Sequence, residues 1–109
     1  MPDVSKTEIG RRMFQLQKEK AVEKVVEKIR QNTGAGWKTL SEADVHLLER
    51  LLQAVWVTVE QVKWTKIRFD RMSVDDVKRV LSIGKSLDLE KLSQRTVSDA
   101  LEKVLLSVG

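Results

Sequence analysis

The side chains in this sequence that could do chemistry are few. His46 is the only histidine, and there is no cysteine, so a thiolate or paired-imidazole metal site has no ligand set. His46 stands beside Leu47 and Leu48, where a lone histidine usually marks a surface or boundary position. No serine stands with a histidine and an acid in a recognisable catalytic motif. Asp70, Asp75 and Asp76 cluster near one turn and have the oxygen chemistry a hard cation needs. Asp75 and Asp76 are better explained by the first turn of a helix, whose unpaired N–H groups favour carboxylates. The Gly34-Ala35-Gly36-Trp37 stretch lacks the lysine and hydroxyl residue of a phosphate loop and follows no strand. The residues therefore imply no catalysis, no cofactor and no metal.

The most suggestive stretch is QVKWTKIRFDR, residues 61–71. Lys63, Lys66, Arg68 and Arg71 stand there against one acid, Asp70, with Trp64 and Phe69 interleaved. On a continuous helix Trp64, Arg68 and Arg71 share a face, with Lys63 and Lys66 beside it. Cations that engage phosphates, next to an aromatic ring on which a base stacks, are what single-stranded nucleic acid requires of a binding surface. The competing interpretation is that Trp64 and Phe69 are core while the cations are merely solvated. Arg11 and Arg12 form a second basic site. Lys78, Arg79 and Lys85 extend the central patch if their helix folds back beside it. Trp37 and Trp56 are interface candidates, since an exposed indole marks a protein contact as readily as a base.

SQRTVSDAL, residues 93–101, resembles the start of a DNA-recognition helix. With Val97 aligned to the buried valine of such a helix, Lys91, Glu90, Leu87 and Ser86 all fall on positions that need a different residue type. The spacing of Leu89, Leu92, Val97, Leu101, Val104, Leu105 and Val108 instead makes the stretch the middle of a packing helix capped at Asp88.

These residues need elements to hold them, and helix starts are the clearest structural signal. A serine that accepts from an orphan N–H, with an acid three residues on reaching back and apolar residues flanking both, is a capping box with its staple. It occurs at Ser5/Glu8, Ser41/Asp44 and Ser73/Asp76, and Asp88 keeps the cap without the acid. The pattern predicts one all-α domain over 1–109, a small bundle of about four helices at 6–31, 42–69, 74–83 and 89–108. A long central helix and a flexible loop over 32–40 complete it. The polar QKEK, residues 17–20, marks a bend or a solvent-bridging turn in the first helix. Residues 55–69 are rich in β-branched and aromatic types, but no turn residue divides them into a hairpin, so a helix is expected. Gly84 is expected to terminate the third helix.

The bulk composition agrees. A chain of 109 residues that is 33% charged, with one proline and five glycines, suits helices and excludes a many-stranded sandwich. The N-terminal residues show no signal-peptide pattern, and no apolar run approaches the ~20 residues of a membrane span. A cytoplasmic protein without membrane contact is expected. The formal net charge of +4 favours polyanionic partners mildly. The reading that joins these features is a non-catalytic basic helical subunit that binds nucleic acid without sequence preference inside a larger assembly. Small subunits of CRISPR effector complexes and viral nucleoproteins offer a comparison in size, charge and helicity only. The alternative is an adaptor or homo-oligomeric scaffold that uses the apolar face of the central helix and exposed tryptophans.

Overall fold

The computed structural model describes the backbone of residues 4–108 and the side chains of residues 9–108. Among them there is no strand. Five helices follow in order: α1 (Val4–Thr33), α2 (Glu42–Thr58), α3 (Gln61–Lys66), α4 (Val74–Ser86) and α5 (Gln94–Leu106), with 3-10 turns at Gly34–Thr39 and Phe69–Arg71. No described helix is long and apolar enough to cross a membrane.

Two of the caps form as the sequence requires. Ser41 Oγ accepts from the Asp44 amide at 3.1 Å while Asp44 Oδ2 accepts from the Ser41 amide at 3.4 Å. Ser73 and Asp76 repeat the exchange at 3.2 and 3.0 Å. Each pair satisfies orphan donors at a helix start, and apolar partners close over it: Met72 and Val77 are both fully buried. The box expected at Ser5 and Glu8 concerns side chains outside the described residues.

α1 and α2 form an antiparallel hairpin, with Phe14 of α1 against Trp56 near the far end of α2, ring centroids 5.3 Å apart. Residues 59–72 then return along α1, where the amide of Asn32 donates to the carbonyl of Met72 at 2.6 Å. α2 packs on α1, α4 and α5, and α4 packs on α5. One core results, built from Val22, Val25 and Ile29 of α1 with Leu48, Leu51, Leu52 and Val55 of α2. Trp64, Ile67, Phe69 and Met72 of the returning segment join it, as do Val77, Val80 and Leu81 of α4 and Val97, Leu101 and Leu105 of α5.

Four expectations are corrected. The central helix ends at Thr58 instead of running to residue 69. There the Thr58 hydroxyl bonds back to the Ala54 carbonyl at 2.8 Å and Val59 turns extended, at φ −81° and ψ 153°. Crowded β-branched residues at 57–59 lower the cost of leaving the helix at this point. The last helix begins at Ser93, not at Asp88. The amides of Lys91 and Leu92 both bond to the Asp88 carbonyl, which closes a single turn, and Ser93 Oγ accepts from the Thr96 amide at 3.2 Å. SQRTVSDAL therefore opens a packing helix, with Val97 and Leu101 in the core.

The stretch expected as a flexible loop over 32–40 is occupied by the last turn of α1 and an ordered 3-10 turn. Trp37 and Leu40 of that turn pack against the core, and a side chain on Gly36 would lie 3.1 Å from Val74 Cβ. Gly84, finally, does not end α4 but sits buried inside it, where a Cβ would overlap Leu51 Cδ1. Its role is close approach between helices.

Candidate nucleic-acid interface

The basic segment 61–71 is held by what it buries. Trp64 is only 9% exposed and its ring lies 4.9 Å from that of Phe69, tilted at 51°. Ile67 and Met72 are buried beside them. Because α3 stops at Lys66 and the chain is extended at Ile67, Trp64 does not share a face with Arg68 and Arg71. The indole turns inward and the cations turn outward. Trp64 is therefore not a platform for a base, which corrects the stacking part of the expectation. Its tilted pairing with Phe69 makes it an anchor.

Lys66, Arg68 and Arg71 are all exposed around the corner that α3 and the following 3-10 turn make. Among the described residues no carboxylate lies within ion-pairing distance of any of them. Lys63 differs. Its Nζ meets Glu102 Oε1 of α5 at 2.8 Å, and this hydrogen bond, with the nearby charge, holds the ammonium above the ordinary lysine range. It ties α3 to α5 and is engaged within the fold.

Arg11 and Arg12 are exposed on the N-terminal half of α1, and the structure does not bring them to the corner at Lys66 by any described contact. Lys85 pairs with Asp44 of α2 at 3.0 Å. That hydrogen bond, followed by the Ser41 amide, holds the Asp44 carboxyl below the ordinary aspartate range. Lys78 and Lys85 line a shallow groove with Leu40, Asp44 and Leu81, and Arg79 is exposed on the same helix. Asp76 is occupied in its capping box, and His46 is exposed. No group of three metal-ligating side chains occurs among the described residues.

Trp37 and Trp56 are both half-buried and packed on the core, Trp56 partly beneath Phe14. The apolar face of α2, expected as a spare interface, is consumed by α1, α4 and α5. Among the described residues the large exposed apolar side chains are Val62 on α3, Leu106 on α5 and a group of four on α1, where Ile9, Met13 and Leu16 are each more than half exposed and Phe14 is 46% exposed. The helical spacing of the α1 group is present in the sequence. What distinguishes them from the core stripe is their angular position, which a count of apolar residues does not reveal.

No protein-family model matches the chain, and neither does any curated protein or solved structure.

Proposed function

We propose that this chain is a non-catalytic helical subunit that holds nucleic acid by its phosphates, without reading sequence, inside a larger assembly. The observation that carries the reading is the rigid basic corner at Lys66, Arg68 and Arg71. Three exposed cations, without acidic partners among the described residues, are displayed by a backbone pinned on its inner side by Trp64, Ile67, Phe69 and Met72. Pinning lowers the ordering cost of each phosphate contact, so a short basic segment does more than the same residues on a loose tail. Phosphate contacts fix position and carry no base information, so single strands and duplexes compete for the same corner. Stacking has no part in this account, since both aromatics of the segment are buried.

The test is fluorescence-anisotropy titration of labelled single-stranded RNA, single-stranded DNA and duplex DNA at low salt. Wild-type protein is compared with Lys66→Glu/Arg68→Glu. Wild type should bind all three, and the double variant should lose at least about tenfold in affinity for each, with an unchanged circular dichroism spectrum. A folded double variant that binds as tightly as wild type would refute the proposal. The adaptor reading is favoured by a separate observation, the exposed apolar side chains of α1, and does not compete for the same residues.

A further inference from the structure

α1 carries two apolar stripes on opposite sides. At about 100° per residue, Val22, Val25 and Ile29 share one side and face the core, while Ile9, Met13 and Leu16 lie roughly half a turn away. Phe14 follows the core side and reaches Trp56. The outward stripe is 55%, 57% and 51% exposed at Ile9, Met13 and Leu16. It is not an extension of the core, since α1 is one continuous helix from Val4 to Thr33 and its phase holds this stripe opposite the core side. Beyond Leu16 the same side continues with Lys20, Glu23 and Glu27, all charged and exposed, so the apolar surface is confined to one end of α1.

We propose that this stripe is the contact surface for a second copy of the chain, with the two α1 helices packed antiparallel. The argument is self-complementarity. Arg12 and Glu19 lie seven residues apart on one flank of the stripe, about 20° apart around the axis. When Met13 lies against the partner's Leu16, Ile9 meets the aliphatic stem of the partner's Lys20, and Arg12 falls beside the partner's Glu19. The two-fold axis generates every contact twice, as an isologous interface requires. Among the described residues of one chain Glu19 is held only by Gln15, whose Nε2 donates to it at 3.3 Å. An antiparallel overlap of this register also leaves the two helical bodies at opposite ends.

A lipid surface is the other natural partner for an amphipathic basic helix. It is disfavoured by Glu19, Glu23 and Glu27 on or beside the same side, which anionic headgroups repel. The interface is small, below the ~800 Å² per partner of a standard complex, so a weak dimer that forms towards the upper end of the concentration range is expected. The contact does not involve Lys66, Arg68 or Arg71 and stands independently of the phosphate-binding proposal.

The experiment is sedimentation equilibrium of the full chain from about 10 µM to 1 mM. Wild type should follow a monomer–dimer equilibrium, and Leu16→Glu should weaken it at least about tenfold without changing the circular dichroism spectrum. Arg12→Glu and Glu19→Arg should each weaken self-association, and an equimolar mixture of the two variants should regain it as a heterodimer. A monomer throughout the range, a dimer indifferent to Leu16→Glu, or no recovery on mixing would each overturn the proposal. So would a wild-type monomer that binds anionic phosphatidylserine vesicles through the same stripe.

Discussion

Replacing Gly84 by alanine adds one methyl group where α4 lies against Leu51 of α2, and the structure sets two effects against each other. Alanine is favoured over glycine in a helix interior by about 1 kcal/mol, an upper limit for Gly84 in the last turn of α4. The new Cβ, however, would overlap Leu51 Cδ1 and lie 3.1 Å from Cδ2. Leu51 is fully buried, so its side chain has no vacant space to rotate into, and α4 must shift. Overpacking of this kind costs about 1–3 kcal/mol. The steric term exceeds the propensity term, and Gly84→Ala should destabilise the fold by about 1 kcal/mol, roughly a 4 °C fall in melting temperature for a domain of this size. Urea unfolding followed by tryptophan fluorescence measures it, with an unchanged m-value as the sign that the folded and unfolded states are otherwise the same. The decisive control is Leu51→Ala, which alone costs about 2–5 kcal/mol by leaving a cavity. In that background Gly84→Ala should become stabilising by about 1 kcal/mol, because the methyl enters vacated space and the helix propensity is realised. A Gly84→Ala protein more stable than wild type, or one with the same effect in both backgrounds, would refute the packing argument.

Three further outcomes are expected. Trp64→Ala should cost about 3–5 kcal/mol, measured by urea unfolding, since it removes a buried indole and its contact with Phe69. Trp64→Leu, which keeps an apolar anchor without an aromatic face, should leave nucleic-acid affinity unchanged in the folded protein, which a base-stacking role would not allow. Ser73→Ala should lower stability by about 1 kcal/mol, seen as a lower urea midpoint, through loss of the acceptor for the Asp76 amide. The Asp44 carboxyl is held below its ordinary range by Lys85 and the Ser41 amide. Its contribution is therefore fully present above the ordinary aspartate value and is lost as pH falls through the lowered one. Asp44→Asn should accordingly melt below wild type at pH 7, with the difference vanishing near pH 2 in a melting-temperature series.

What could be read from the sequence follows from how local each determinant is. The capping boxes at Ser41 and Ser73 involve residues three apart, and they mark the starts of α2 and α4. The end of α2 carries no glycine, proline, asparagine or aspartate. The break lies in a crowded run of Val57, Thr58 and Val59 whose effect depends on the Thr58 hydroxyl finding the Ala54 carbonyl. A helix continued through this point puts Trp64 on the face of Arg68 and Arg71, whereas the chain turns between them. The competing interpretation of Trp64 and Phe69 as core is the one the packing supports. Asp88 and Ser93 are both competent caps five residues apart. Only the packing of Leu89 and Leu92 against the core, in the turn that precedes α5, distinguishes them. The outward stripe of α1 was legible in the angular positions of Ile9, Met13 and Leu16, which lie opposite Val22, Val25 and Ile29. The candidate site was thus legible in its cations and not in its aromatics.

The most direct test of the phosphate-binding account is the salt dependence of affinity for a labelled single strand, with intrinsic tryptophan emission recorded in the same titration. Three phosphate contacts, at about 0.7 counterions released for each, predict a slope of log K against log salt near −2 for wild type. Lys66→Glu/Arg68→Glu/Arg71→Glu should abolish measurable binding at the lowest salt, and in a Trp37→Phe/Trp56→Phe background, where Trp64 alone emits, emission should not be quenched because Trp64 is enclosed. A slope near zero, or a triple variant whose affinity and slope match wild type, would contradict the account.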